Sequence, residues 1–119
     1  MTGPIRRVLI VDDNEDSATS MAMLLQIYGH ETRVAGDGPS ALAIAGEFEP
    51  NAVLLDIGLP GMDGYEVARR LRELPTMHAA VLIALTGYGG AEHRQLALDA
   101  GFNHHLVKPV DPDEVAGLI

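Results

Sequence analysis

The run Val53-Leu54-Leu55-Asp56 constrains the fold more than any other stretch of the chain. It is apolar up to its last residue, ends on one carboxylate, and breaks at once into Ile57-Gly58-Leu59-Pro60-Gly61-Met62-Asp63-Gly64. Such a run reads as a buried strand that delivers Asp56 to its carboxyl end. In an open α/β sheet that edge is where ligands bind, so the chemistry sent there by the rest of the chain becomes the question.

The flanking sequence is built of alternating units. Arg6 to Val11 is a β-branched and Leu-rich strand that stops at Asp12-Asp13. From Asn14, the apolar residues Ala18, Met21, Ala22, Leu25 and Tyr28 recur at helical spacing, and Gly29 stands where a left-handed cap ends a helix. Glu31 to Ala35 is a short, partly polar strand suited to a sheet edge. Asp37-Gly38-Pro39 opens a second helix, with Ala41, Ile44, Ala45 and Phe48 on its inner face. Asp63 with Glu66 forms a capping-box signature for a third helix, which faces inward through Val67, Ala68, Leu71 and Leu74; the glycines beside Asp63 read as turn formers.

Ala79 to Leu85 is a fourth apolar run, ending at Thr86-Gly87-Tyr88-Gly89-Gly90. A helix from Ala91 to Ala100, a strand from Asn103 to Val107 and the breaker Lys108-Pro109 follow. Asp111, Pro112 and Glu114 then start a last helix, which reads as cut short because the chain stops a few residues later. Five strands alternating with helices predict a parallel sheet covered on both faces. Residues 1–119 read as one domain, with no linker or low-complexity tract.

Composition narrows the chemistry. Eight Lys+Arg against seventeen Asp+Glu give a net charge of -9, which opposes binding to nucleic acid or to an anionic membrane face and favours a protein or cation partner. Cysteine is absent, which excludes disulfides and thiolate metal sites and fits a reducing cytoplasm. The apolar runs are of strand length, short of the ~20 residues of a membrane span, and the N-terminus lacks a signal-peptide apolar core.

If consecutive strands run parallel, Asp12, Asp13, Asp56, Thr86 and Lys108 all reach one edge, from four different strands. Carboxylates so close repel, and a divalent cation relieves the repulsion. An all-oxygen ligand set favours Mg²⁺, or Mn²⁺, over zinc or copper. Asp56 is then placed as a nucleophile toward phosphorus, Lys108 as a cation for a phosphoryl oxygen, and the Thr86 hydroxyl as a donor to another, with Gly87 leaving room for entry.

Asp12-Asp13 after strand one, Asp56 with Leu59-Pro60-Gly61-Met62-Asp63-Gly64, Thr86 after strand four and Lys108-Pro109 after strand five together resemble the receiver domain of two-component response regulators. The resemblance covers nearly the whole chain. It implies a flavodoxin-like, doubly wound, five-stranded parallel sheet of order 2-1-3-4-5, with helices on both faces. It also implies a phosphohistidine donor on a histidine kinase or histidine-phosphotransfer domain, Asp56 as phosphoacceptor, and Mg²⁺ held by Asp13, Asp56 and the Gly58 backbone carbonyl with Asp12 in support. Such a module assists its own phosphorylation and dephosphorylation and is not an enzyme in the usual sense. The wording from Gly58 to Ala68 and from His104 to Pro112 looks most like receivers fused to hybrid histidine kinases, which together with the short last helix suggests a module excised from a longer parent, with a stand-alone receiver as the alternative.

Four positions depart from the family pattern. His105 stands where the switch residue is usually Tyr or Phe, and Val110 where Phe is common, so the usual aromatic motion and the dimer face of many DNA-binding regulators are not implied. Gly58 has no side chain to orient water and Tyr88 is placed to shield a phosphoryl group, which predicts slow hydrolysis. A metal-dependent phosphatase would place a second Asp where Gly58 stands, and Gly36-Asp37-Gly38-Pro39-Ser40 lacks the ending of a nucleotide phosphate loop. His104 and His105 point to opposite faces of a strand, which argues against a shared metal. His30, His78 and His93 read as solvated, and Arg69, Arg70 and Arg72 as a solvated basic face. Met21, Leu24 and Ile27 on helix one are the apolar residues available to a docking partner.

Overall fold

Strands and helices alternate along the chain in a computed structural model that describes residues 6–59, 61, 63–87 and 91–119. The order is β1 (Arg7–Val11), α1 (Glu15–Ile27), β2 (Glu31–Ala35), α2 (Gly38–Phe48), β3 (Ala52–Asp56), α3 (Gly64–Glu73), β4 (Val81–Thr86), α4 (Ala91–Ala100), β5 (His104–Val107) and α5 (Pro112–Leu118), with a 3₁₀ turn at Pro75–Met77. All pairings are parallel and the strand order is β2-β1-β3-β4-β5, the doubly wound, flavodoxin-like sheet. β2, the most polar strand, lies at an edge, and β3 is buried along its whole length.

Alternation along the strands builds two cores. Val8, Ile10, Ala52, Leu54, Ile83 and Leu85 face Ala18, Ala22 and Leu25 of α1 and Val115 of α5. Leu9, Val11, Val53, Leu55, Leu82 and Ala84 face α2, α3 and α4. A fully buried Leu contributes about 1.5–3 kcal/mol, so these layers supply the main stabilisation. α4 is the exception, because it buries only Ala97 and Ala100 and leaves Leu96 and Leu98 exposed.

Short polar side chains start the helices. The Asn14 side chain accepts from the Ser17 N–H at 3.0 Å, Asp37 from Ser40 at 2.8 Å and Asp63 from Glu66 at 2.9 Å. Asn14, not Asp13, therefore caps α1, which leaves the Asp13 carboxylate for other work. The capping boxes form only by half. Glu66 turns its carboxylate to Arg70, and the Asp111 side chain accepts from Asp113 rather than Glu114.

Two glycines do more than form turns. A Cβ on Gly64 would lie 2.6 Å from the Ile57 Cα, so only glycine lets α3 begin against the end of β3. Gly101 has φ +108°, and a Cβ there would meet the Arg72 side chain at 2.8 Å.

Arg72 corrects the solvated reading of the basic cluster. It is half-buried, and its guanidinium donates to the carbonyls of Gly101 at 2.8 and 2.9 Å, Met77 at 2.9 Å and Ala80 at 2.8 Å, and to Asn103 Oδ1 at 2.8 Å. Asn103 Oδ1 also accepts from the Leu82 N–H at 2.8 Å, so one side chain ties α3 to the end of α4 and the starts of β4 and β5. The sequence shows only three arginines near one another. Their division into one structural and two exposed residues depends on carbonyls that converge from distant segments. His30 is likewise not simply solvated, since its Nδ1 accepts from the Arg6 N–H at 3.2 Å.

Removing the Arg72 guanidinium strands several carbonyls at once. Arg72→Ala is expected to lower unfolding stability by about 2–3 kcal/mol, measured by urea denaturation with unchanged slope. Arg72→Lys should recover little, because an ammonium lacks the planar fork.

Candidate functional site

Parallel pairing brings the carboxyl ends of β1, β3, β4 and β5 to one edge, and the residues there carry the chemistry. Asp12 follows β1 directly. Its N–H donates to the Ala35 carbonyl at 3.0 Å, and its Oδ1 accepts from the Asn14 N–H at 2.9 Å, so the carboxylate also shapes the turn into α1. Asp12 is buried, and that burial raises its carboxyl above the usual range; the Asn14 N–H and Lys108 oppose the rise, while Asp56 and Asp13 add to it.

Asp56 closes β3. Its Oδ1 accepts from the Gly58 N–H at 2.9 Å, and its Oδ2 pairs with Lys108 Nζ at 2.9 Å. Lys108 is positioned by its own backbone, whose N–H donates to the Thr86 carbonyl at 2.7 Å, and a cis peptide bond joins it to Pro109. Thr86 ends β4 and is buried beside this pair. The five residues expected at the edge are thus all there.

Oxygens from Asp12, Asp13 and Asp56 lie within 4.8 Å of one another. At that separation, two carboxylates repel by about 3 kcal/mol at an effective dielectric of ~20. Lys108 pairs with only one of them. Three hard oxygen donors at the sheet edge, one buried and one exposed, suit an octahedral cation that keeps some of its water. The donor set therefore fits Mg²⁺ or Mn²⁺. Gly58 is exposed, and a Cβ there would meet only Asp56 Oδ1 at 3.5 Å, so sterics do not demand a glycine. Tyr88, expected to shield the site, lies outside the described residues.

His105 lies on β5 in register with Ala84, two residues before the Thr86–Val107 pair. It is half-buried, with Nε2 fully buried and unpartnered. His104 points to the opposite face, as the strand period requires. Among the described residues, no group of side chains close enough to share a metal ion includes a histidine. Beside the carboxylates, a groove of about 700 Å³ runs between α1 and the β5–α5 loop, lined in part by Ser17, Met21, Leu24, Lys108 and Val110. Met21 and Leu24 are two of the residues expected on such a surface; Ile27 lies outside the groove and is almost fully exposed. The part taken by Val110 and the loop was not legible in the sequence, because it depends on α5 packing beside α1.

A family model for the response regulator receiver domain matches residues 8–119. The response regulator PleD of Caulobacter vibrioides is 37% identical over 105 residues, which are 88% of this chain but 23% of PleD. The chain therefore spans about a quarter of that relative's length. Among solved structures, the chemotaxis response regulator CheY4 of Vibrio cholerae superposes with a TM-score of 0.90 at 28% identity, covering 96% of this chain and 95% of that one. The receiver domain of the sensor histidine kinase PA1611 from Pseudomonas aeruginosa, which has a magnesium ion coordinated in its active site cleft, gives 0.84 at 30% identity, covering 96% and 93%. With the parallel sheet, the acidic edge and the paired lysine in place, the chain belongs to the response regulator receiver domain family and is a phosphoacceptor module of two-component signalling.

Proposed function

We propose that residues 1–119 form a single receiver domain that takes a phosphoryl group on Asp56 from a phosphohistidine, with Asp12, Asp13, Asp56 and the Gly58 carbonyl holding Mg²⁺ or Mn²⁺. The observation that carries this reading is the 2.9 Å pair between Lys108 Nζ and Asp56 Oδ2 beside three carboxylates within 4.8 Å. In the transfer, the P–O bond to Asp56 forms as the P–N bond of the donor breaks, and the electron pair returns to the imidazole nitrogen. The bound cation supplies neutralisation of the phosphoryl oxygens. Phosphorylated Asp56 no longer offers Lys108 a full carboxylate, so the ammonium moves to a phosphoryl oxygen and the Thr86 hydroxyl donates to another. Thr86, with His105 two residues short of it on the neighbouring strand, forms the readout.

The donor is a histidine kinase or a histidine-phosphotransfer domain. It docks beside the groove, where Leu24 and the neighbouring exposed Met23 and Ile27 of α1 present apolar surface. Among the described residues no helix is long and apolar enough to cross a membrane. The location that suits a receiver working with its kinase is the cytoplasm. The module is either the receiver of a hybrid histidine kinase or a stand-alone receiver.

Treatment with acetyl phosphate and Mg²⁺ should add one phosphoryl group to the wild type by intact mass and none to Asp56→Asn. An unmodified wild type, or a modified Asp56→Asn, overturns the assignment. Mg²⁺ should raise the melting temperature of the wild type by linkage. Asp12→Asn and Asp13→Asn should melt higher than the wild type in chelator, by roughly 0.5–2 kcal/mol of relieved repulsion, and lose most of the response to Mg²⁺. A Cβ at position 58 makes only an ordinary contact with Asp56 Oδ1, and Gly58→Asn should shorten the lifetime of the aspartyl phosphate several-fold by positioning a water, which a time course of intact mass reads directly.

A further inference from the structure

β5 lies under α4, and His105 belongs to that strand. Its register partner Ala84 belongs to the core beneath α2, α3 and α4, so the His105 ring points to the same side. Among the described residues, His105 Nε2 is the one buried side-chain nitrogen or oxygen without a hydrogen-bond partner. The charged or titratable groups that act on the ring are Arg94 and His93, both on α4. β4 contributes the apolar Ala84, and on β5 itself His104 faces the other way. Among the described residues, no carboxylate is one of the groups that act on the ring.

We propose that neutral His105 holds α4 against β5 and that protonation of His105 releases it, which makes the α4–β5 surface proton-sensitive. An imidazolium carries a proton on both nitrogens, and a buried Nε2–H here would find no acceptor among the described residues and would be repelled by the Arg94 cation. The ring gains water and relief from repulsion by swinging out. α4 yields readily because the two residues it buries, Ala97 and Ala100, are both small. Its C-terminal end is pinned by the Arg72 bonds to Gly101, so movement is confined to the opposite end. Thr86 lies on the same face, two residues beyond Ala84, which places His105 two positions short of the carboxylate edge.

Burial first, then Arg94 and His93, hold the His105 imidazole below its usual value. A histidine with a lowered folded-state value binds fewer protons folded than unfolded. Its packed state is therefore fully favoured above about pH 6.5 and is lost as pH falls through the folded value.

NMR of the full chain without any phosphodonor tests this, over about pH 7.5 to 5. The His105 ring resonances should titrate with a midpoint below about 6.5, and the Leu96 and Leu98 amides should shift with the same midpoint. His105→Phe should abolish that amide titration and His93→Gln should retain it, with His105→Gln as the second variant if the Phe ring disturbs packing. A His105 midpoint at or above about 6.5, an α4 titration that survives both His105 variants, or one that disappears with His93→Gln overturns the proposal.

Discussion

Parallel pairing of the strands is the constraint on which the rest of the molecule depends. A parallel strand needs a crossover before the next one, so every strand ends on the same edge and every helix lies on a face. Asp12, Asp56, Thr86 and Lys108, separated by up to 96 residues in sequence, become neighbours for that reason alone. The two apolar cores fix the strands in register, and the register fixes the site to within hydrogen-bond distance.

The site itself is a deliberate electrostatic conflict. Three carboxylates share a small volume, those of buried Asp12 and Asp56 and exposed Asp13, against a single lysine. Folding accepts this because the two large cores supply stabilisation elsewhere, and a divalent cation bound there would offset the repulsion. The same arrangement would make the edge responsive, since a phosphoryl group on Asp56 would change the charge that Lys108 is paired with. Arg72 plays the opposite part at the far end of α4, where it satisfies carbonyls from several segments and leaves little freedom. The contrast between a saturated end and a sparsely packed end gives α4 its place in the fold.

Several local details follow from competition among neighbouring groups. Asn14 caps α1 because the Asp12 carboxylate already takes the Asn14 N–H and Asp13 is turned toward the carboxylate cluster. Glu66 pairs with Arg70 one turn on, an exposed contact worth about 0.5 kcal/mol. It does so in place of a contact back to the start of its helix. Gly64 is fixed by a backbone approach to Ile57 that no turn rule anticipates.

The order of apolar runs, Gly/Pro breaks and helical periods determined the fold class, the element boundaries to within about two residues, and the identity of the five residues at the edge. These follow from local periodicity and from the rule that parallel strands share their ends, so they are legible without coordinates. Tertiary structure alone decided that Arg72 is structural while Arg69 and Arg70 are exposed, that Gly64 cannot carry a Cβ, and that the His105 nitrogen is buried without a partner. Each of these depends on which atoms from remote segments meet a given side chain, and the pattern of one strand or helix carries no record of what packs against it.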